Sequence, residues 1–270
     1  MRKLDGRELA DYIKERQARQ VRALRQAHHV SPTLAIVQTI DDPVIDTYVR
    51  LKRSYGEDIL VDVVVHKVAQ ATLMETITLL NNDPSVQGVI IQLPLEDPKQ
   101  TEEAVNAVAP EKDVDGLGEH AEHTPATAMA IDWLLAGYNV DLKTKAIAIV
   151  GHGRLVGAPL EALWSTTGYD VTVYNSKTDD LVSALRSSQV IITATGVPGL
   201  ITGSMVPLNA VVVDAGTAAE HGKIVGDIAD DVRLRDDLTI TPEKGGVGPL
   251  TVTALFDNVI QAAQATIVEN

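Results

Sequence analysis

Apolar segments of strand length alternate with segments of helical periodicity along most of this chain. In the first half, TLAIVQTI (33–40), ILVDVVVHKV (59–68) and GVIIQLPL (88–95) are short apolar segments that predict buried strands. Strands that alternate with helices form a parallel sheet, so the pattern predicts an α/β fold. The functional groups of such a sheet gather beyond the carboxyl ends of its strands.

The same alternation restarts in the second half, after a polar interruption. The segment LGEHAEHTP (117–125) breaks the apolar pattern, which places a domain boundary near it. Four further apolar segments then predict strands: KAIAIVG (145–151), DVTVYN (170–175), QVIITATG (189–196) and NAVVVDAG (209–216). A chain of 270 residues is long enough for two domains, and this second half has the pattern of a nucleotide-binding unit.

Helical periodicity fills the stretches between the predicted strands. The predicted helices cover residues 6–27, the segment after Asp-Asp-Pro that includes 47–56, residues 70–82 and 101–108, and a last helix PLTVTALFDNVIQAAQATIV (249–268). Pro249 stands near the start of that last helix, where proline is well tolerated.

Composition and charge exclude several classes of function. The chain has 37 acidic and 23 basic residues, a formal net charge of −14, which argues against nucleic acid or an anionic membrane as partner. It has no cysteine, which excludes disulfides, thiol nucleophiles and Cys-ligated metals and is compatible with the cytoplasm. Neither a signal peptide nor an apolar run of about 18 residues is found, so no membrane span is expected.

The stretch TYVRLKRSYG (47–56) places Tyr48 four residues before Lys52. On a helix the two side chains lie on one face, one turn apart. A phenol beside an ammonium group can transfer protons, because each changes the proton affinity of the other. The same spacing also fits an amphipathic surface helix, and spacing alone leaves both interpretations open.

A glycine-rich loop follows the first predicted strand of the second half. Gly151, Gly153 and Gly157 stand in GHGRLVGAP, directly after KAIAIV and before a helical segment. Glycines in this context allow a tight turn and a close approach of the backbone to a pyrophosphate, which the helix N-terminus favours. The context predicts dinucleotide binding more strongly than a glycine motif alone would.

The end of the next predicted strand bears on the choice of dinucleotide. NAD-selective sites of this type place an acid there to hold the ribose hydroxyls. The strand instead ends Tyr174-Asn175-Ser176-Lys177, with no acid before Asp179. Ser176 and Lys177 are suited to a 2′-phosphate, which favours NADP and leaves NAD possible.

Two other interpretations of these residues are disfavoured. The Y-x-x-x-K pair of short-chain dehydrogenases follows the glycine loop, whereas Tyr48 and Lys52 precede it by about 100 residues. His120 and His123 stand three apart beside glutamates, but no third ligand is evident, so an exposed loop is favoured over a metal site.

The order of five motifs resembles the bifunctional methylenetetrahydrofolate dehydrogenase/cyclohydrolase family. These motifs are Y-x-x-x-K, GVIIQLPL, EKDVDG, the glycine loop G-x-G-x-x-V-G-x-P and GGVGPLT, and the resemblance spans nearly the whole chain. It implies two α/β domains, the second a Rossmann-type NAD(P)-binding domain, with the C-terminal helix returning to the first. The implied boundaries are 1–120 plus 250–270 for the folate-binding domain and 121–249 for the NAD(P)-binding domain.

The resemblance also implies an activity and its partners. The family oxidises 5,10-methylenetetrahydrofolate to the 5,10-methenyl form with a nicotinamide cofactor, and hydrolyses the methenyl form to 10-formyltetrahydrofolate. It implies a cytoplasmic homodimer, joined through the NAD(P)-binding domains, that acts in one-carbon metabolism and purine biosynthesis. The alternative left open is a protein of this architecture that binds folate or dinucleotide without catalysis or with altered specificity.

Site residues carry over from the family to matching positions. The implied catalytic residues are Lys52, Tyr48 and Gln92, with Lys52 moving protons, Tyr48 packing on the folate and Gln92 orienting the lysine. The implied substrate contacts are Tyr48, Asp115, Leu93, Pro94, Gly248 and Pro249, with Asp115 anchoring the NH groups of the pterin. The implied cofactor contacts are Gly151, His152, Gly153, Arg154, Val156, Gly157, Ser176, Lys177, Thr195 and Gly196. No metal is implied.

Several positions depart from the family pattern. The loop usually reads G-R-S-x-x-V-G-x-P, so His152 replaces an arginine associated with NADP binding and Gly153 replaces a serine. Asn175 likewise replaces a histidine. These changes leave the choice between NADP and NAD open, with Arg154 and Lys177 as candidates to compensate. None of them alters the implied residues of the folate site.

Overall fold

The computed structural model of the protein describes residues 1–220 and 223–267. The chain divides into two α/β units, one formed by Asp11–Ala126 and the chain from Val252 onward, the other by Met1–Ala10 and Thr127–Thr251. The two-domain α/β class predicted from the sequence is therefore confirmed. The predicted domain boundaries stay a prediction. The unit of Met1–Ala10 and Thr127–Thr251 contains the predicted nucleotide-binding strands and is called the nucleotide-binding unit below.

The strands are short, as the predicted apolar segments require. They are β1 (Arg2–Lys3), β2 (Thr33–Gln38), β3 (Asp62–Lys67), β4 (Gly88–Ile91), β5 (Ile147–Val150), β6 (Val171–Tyr174), β7 (Val190–Thr193), β8 (Val211–Asp214), β9 (Ala218–Glu220), β10 (Lys223–Val225) and β11 (Thr239–Ile240).

Helices cover the sheets and connect their strands. They are α1 (Gly6–Ala27), α2 (Pro43–Ile59), α3 (Leu73–Asn82), α4 (Thr101–Asn106), α5 (Ala126–Gly137), α6 (Gly157–Thr167), α7 (Leu181–Arg186), α8 (Asp230–Arg233) and α9 (Val247–Ala265). Among the described residues, no helix is both long and apolar enough to span a membrane. The last predicted helix extends to Val268, which lies outside the described residues.

The unit formed mainly by residues 11–126 contains a three-stranded parallel sheet in the order β3-β2-β4. The central strand β2 and its neighbour β4 are buried along almost their whole length. On one side the sheet packs on α3 and α4 through Val37, Leu73, Ile77 and Ile91. Because the three strands are parallel, the chain leaves β2 and β4 at the same edge of the sheet.

The nucleotide-binding unit contains a six-stranded sheet in the order β1-β11-β8-β7-β5-β6, and every pairing in it is parallel. The carboxyl ends of β5 and β7 therefore lie side by side, and the glycine loop and the Thr195-Gly196 segment leave the sheet there. Isoleucine and valine of β5, β7 and β8 fill the interior, as the low aromatic content of 3% requires.

Several elements differ from the sequence prediction. The strand predicted over 88–95 ends at Ile91, because Pro94 has no N–H to donate to a neighbouring strand. Helix α5 and the antiparallel hairpin β9–β10 were not predicted. The helix α5 begins directly after the polar segment that indicated a domain boundary.

Asn258 of α9 connects the C-terminal helix to a loop more than a hundred residues earlier in the same unit. Its Nδ2 donates hydrogen bonds to the carbonyl oxygens of Val114 and Thr124, both at 2.9 Å, and the side chain is 1% exposed. Neither carbonyl is in regular secondary structure, so this amide satisfies acceptors that a helix or sheet would otherwise satisfy.

We expect Asn258→Ala to lower the free energy of unfolding by about 2–3 kcal/mol, because two buried carbonyl groups lose their donor. Urea unfolding followed by circular dichroism measures this loss. The exposed Gln264 of the same helix provides the control, since Gln264→Ala should change stability by less than about 0.5 kcal/mol. Equal stability of the two variants would contradict the structural role of Asn258.

Candidate active site and cofactor-binding loop

Helix α2 carries the Tyr48–Lys52 pair, and its first turn shows why the helix begins where it does. The Oδ1 atom of Asp42 accepts hydrogen bonds from the backbone N–H groups of Val44 and Ile45, at 2.8 and 3.2 Å. Pro43 follows as the first helical residue, where its missing N–H costs nothing. Tyr48 and Lys52 therefore lie on consecutive turns of one helix, as predicted.

Lys52 is held by Gln92 across the carboxyl edge of the small sheet. The Nζ of Lys52 donates to the Oε1 of Gln92 at 2.8 Å. Gln92 follows β4; its backbone N–H donates to the carbonyl of Val37, and its Nε2 donates to the carbonyl of Leu93 at 3.1 Å. The bond to Leu93 fixes which side of the amide faces the lysine, so the ammonium meets an acceptor.

Asp115 lies in a loop that is folded by the other aspartate of KDVDG. The carboxylate of Asp113 is 4% exposed and accepts hydrogen bonds from the N–H groups of Gly116 and Gly118, at 3.0 and 2.7 Å. Gly116 has φ +69°, and a Cβ there would lie 2.7 Å from the carbonyl oxygen of His123, so glycine is required. The two acids of this motif thus differ in role: Asp113 folds the loop and Asp115 is presented by it.

Burial and charge shift the proton affinities of the groups in this site. Desolvation lowers the pKa of Lys52, and the charge of Asp115 partly opposes that shift. Desolvation likewise raises the pKa of Asp115, with the charge of Lys52 opposing it. Burial also raises the pKa of Tyr48, so the phenol keeps its proton near neutral pH. Burial thus makes the neutral form of each group more accessible, including the free amine of Lys52.

Four further predicted substrate residues lie in two parts of the structure, one after β4 and one at the start of α9. Leu93 packs partly buried against the core of its unit, and Pro94 after it is exposed. Gly248 and Pro249 lie in the first turn of α9, within the unit that also contains the glycine loop. Their predicted contacts with substrate stay predictions.

Asp115→Asn should lower the pKa of Lys52 further, because the carboxylate is the charge that favours the ammonium form. The 13Cε chemical shift of Lys52, followed against pH in protein without ligand, measures this change. Glu75→Gln, at an exposed position of α3, removes the same charge without this neighbour and should leave the titration unchanged. An unchanged or raised Lys52 pKa in Asp115→Asn would contradict the coupling.

The glycine loop connects β5 to α6 through two positions that require glycine. Gly151 has φ +99°, and a Cβ there would lie 2.5 Å from the carbonyl oxygen of Ala194. A Cβ on Gly157 would lie 2.0 Å from the carbonyl oxygen of Gly151, so the loop folds back on its own first residue. A Cβ on Gly153 would meet nothing within 4 Å, so this position does not require glycine.

The residues between these glycines face outward. His152, Gly153 and Arg154 are exposed and Val156 is partly exposed. The Nε2 of His152 lies 2.6 Å from the Oε2 of Glu161, which projects from α6. The sequence singled out His152 but not Glu161, because nothing in the spacing shows that a residue on the following helix turns back to the loop.

The end of β6 forms a compact turn beside the glycine loop. The Oδ1 of Asn175 accepts from the N–H of Lys177 at 2.9 Å, and the Oγ1 of Thr178 accepts from the N–H of Asn175 at 3.1 Å. The side chains of Ser176 and Lys177 are exposed. Asn175 therefore has a structural function in this turn.

Asp227 positions the predicted cofactor residue Thr195 and was not found from the sequence. Its Oδ2 accepts hydrogen bonds from the Oγ1 of Thr193 and the N–H of Thr195, both at 2.6 Å. The side chain is fully buried, and its Oδ1 has no hydrogen-bond partner in the described part of the chain. Nothing in the local sequence indicates this contact, which joins residues more than thirty positions apart.

The histidines of the boundary segment do not form a cluster in the structure. His120 and His123 are exposed, and the Nε2 of His123 lies 3.1 Å from the carbonyl oxygen of Glu111. Across residues 1–220 and 223–267, no three potential metal ligands converge.

The fold and the loop geometry define a Rossmann-type dinucleotide-binding protein joined to a second α/β unit. Two family models match the chain: "Tetrahydrofolate dehydrogenase/cyclohydrolase, catalytic domain" over residues 4–115, and the NAD(P)-binding domain of the same family over residues 125–267. The chain belongs to the tetrahydrofolate dehydrogenase/cyclohydrolase family.

Similar proteins match over the full length. The "Bifunctional protein FolD" of Roseiflexus sp. (strain RS-1) is 36% identical over 278 residues, covering 97% of this chain and 96% of that protein. The crystal structure of the bifunctional enzyme FolD from Campylobacter jejuni has a TM-score of 0.90 at 32% identity, covering 97% of this chain and 98% of that one. The Trypanosoma brucei FolD, solved with NADP cofactor and an inhibitor, has a TM-score of 0.90 at 29% identity, covering 98% of both chains.

Proposed function

We propose that this protein oxidises 5,10-methylenetetrahydrofolate to 5,10-methenyltetrahydrofolate with a nicotinamide dinucleotide and hydrolyses the product to 10-formyltetrahydrofolate. One observation carries the proposal: within a chain of this family, the Nζ of Lys52 is held by the Oε1 of Gln92 in an environment that lowers the lysine pKa. A lysine placed in this way suits the proton transfers of the hydrolytic step.

The residues of the nucleotide-binding unit fit a dinucleotide. The close approach of Gly157 to Gly151 lets the backbone at the start of α6 come near a pyrophosphate, whose charge the helix N-terminus favours. The cofactor, when bound, accepts the hydride, and this transfer needs positioning rather than a protein acid. Asp227 assists by fixing the backbone of Thr195.

NADP is the proposed cofactor and NAD remains a possible one. The family model describes an NAD(P)-binding domain, and the Trypanosoma brucei relative was solved with NADP. Exposed Ser176 and Lys177 at the end of β6 suit the additional phosphate of NADP.

Each residue of the folate site has a proposed part in the reaction. Lys52 moves the proton between the attacking water and the folate nitrogen, and Gln92 orients its amine. Tyr48, one turn before Lys52, packs on the folate and maintains the dry surroundings of the lysine. Asp115 binds the NH groups of the pterin, which satisfy a costly partly buried carboxylate.

The assembly and location of the protein are also proposed from its family and charge. The homodimer joined through the NAD(P)-binding units is proposed from the family resemblance, and a cytoplasmic location is compatible with the absence of cysteine. The net charge of −14 argues against nucleic acid or an anionic membrane as partner, and folate is proposed from the family. The alternative of a non-catalytic binding protein is not favoured, because the match to bifunctional enzymes covers both units.

Lys52→Met should lower the rate of methenyl hydrolysis at least a hundredfold, because methionine cannot accept or donate the proton. The test follows the appearance of methenyl absorbance from 5,10-methylenetetrahydrofolate and its decay, with NADP and with NAD. Arg53→Met is the matched control on an exposed position of the same helix and should retain both activities.

A full rate of methenyl hydrolysis in Lys52→Met would refute the assignment of Lys52. Failure of the unaltered protein to oxidise methylenetetrahydrofolate with either cofactor would refute the dehydrogenase activity. Circular dichroism of Lys52→Met distinguishes loss of chemistry from loss of fold.

A further inference from the structure

The glycine loop and the end of β6 meet at one corner of the nucleotide-binding sheet. The N–H of Gly151 donates to the carbonyl oxygen of Tyr174 at 2.8 Å, so the first residue of the loop is bonded to the last residue of β6. His152 is the next residue along the loop. In Rossmann-type sites this corner, beyond the second strand of the nucleotide-binding sheet, receives the ribose of the adenosine half.

The position directly after β6 does not carry the carboxylate that usually binds the ribose hydroxyls, and the first acids beyond it are Asp179 and Asp180. Asn175 stands directly after β6, and its side-chain oxygen is bonded to the backbone of Lys177. Asp180 caps the N-terminus of α7, where its Oδ1 accepts a hydrogen bond from the N–H of Ser183 at 3.0 Å. The side chains of Asn175 and Asp180 therefore already accept hydrogen bonds from nearby backbone N–H groups.

A carboxylate reaches this corner from a different element. Glu161 lies on the second turn of α6, and its Oε2 is 2.6 Å from the Nε2 of His152. The side chains of His152 and Glu161 are 46% and 40% exposed, so a ligand bound at the loop has access to them. The imidazole of His152 is therefore paired with the carboxylate of Glu161.

This pairing has opposite consequences for the two forms of the dinucleotide. A 2′-phosphate carries a charge of about −1.5 to −2 and is repelled by a carboxylate that also competes for the imidazole. A ribose with free hydroxyls has donors, which a carboxylate accepts. Exposed Lys177 favours the phosphate, so Lys177 and the His152–Glu161 pair act in opposite directions on the choice of dinucleotide.

We infer that the His152–Glu161 pair is a specificity determinant that weakens the preference for the 2′-phosphorylated dinucleotide and makes NAD a competent cofactor. This inference rests on the proposed function for the cofactor's role, but it concerns only how the dinucleotide is distinguished. Because both side chains are partly exposed, solvent screens the charge, and the effect is a change of several-fold rather than an absolute switch.

The test compares Glu161→Gln with the unaltered full-length protein. Glutamine keeps the size of the side chain and removes the charge. We expect the ratio of the dissociation constants for NAD and NADP, measured by calorimetry at fixed ionic strength, to move about three- to tenfold in favour of NADP. The same shift should appear in KM for the two cofactors, with kcat nearly unchanged.

Asp170→Asn provides the matched control. Asp170 is exposed directly before β6, at the opposite end of the strand from this corner. Asp170→Asn therefore removes the same charge from the unit as Glu161→Gln, but away from the glycine loop. A ratio within twofold of the unaltered protein in Glu161→Gln, or an equal shift in Asp170→Asn, would overturn the inference. So would failure of both dinucleotides to bind.

The binding measurement separates this inference from the proposed function. If 5,10-methylenetetrahydrofolate is not oxidised but the ratio of dinucleotide affinities shifts as expected, the proposed function fails and the specificity assignment stands. If 5,10-methylenetetrahydrofolate is oxidised and the ratio does not change, the proposed function stands and the specificity assignment fails.

Discussion

The hydrogen bond between Lys52 and Gln92 is the interaction on which the folate site depends. An ammonium group that loses water must either find acceptors or lose its proton. Gln92 supplies one neutral acceptor, and the charge of Asp115 partly opposes the shift that desolvation causes. A neutral partner is suited to this role, since a carboxylate in direct contact would hold the proton on the lysine.

The surrounding structure explains how this bond is maintained. Asp42 fixes the start of α2, and therefore the turn on which Lys52 lies. Asp113 folds the loop that presents Asp115, while Asn258 ties the same loop to α9. Each of these polar groups satisfies backbone atoms that regular secondary structure leaves unpaired, so they organise the site without taking part in chemistry.

Local patterns predicted much of this fold, and contacts between distant residues account for what they missed. The strands β2 and β7 and the helix α1 follow from periodicity, because burial imposes a repeat on neighbouring residues. Tyr48, Lys52, Gln92 and Asp115 were identified through the order of their motifs, and the structure shows Lys52 bonded to Gln92 forty residues away. Asp227 and Glu161 have no such signal: each acts on a loop that is brought near it only by folding.

Two glycine-containing segments far apart in the sequence, LDGRELA (4–10) and GGVGPLT (245–251), meet within one unit of the structure. Strand β1 pairs with β11, and the N–H of Gly6 donates to the carbonyl oxygen of Gly245 at 2.8 Å. A Cβ on Gly6 would lie 1.9 Å from the carbonyl oxygen of Gly246, so any side chain there would displace the segment that precedes α9. The glycine of LDGRELA and the glycines of GGVGPLT are therefore two parts of one contact, separated by about 240 residues of chain. This contact makes the position of GGVGPLT, which contains the predicted substrate residues Gly248 and Pro249, depend on the first ten residues.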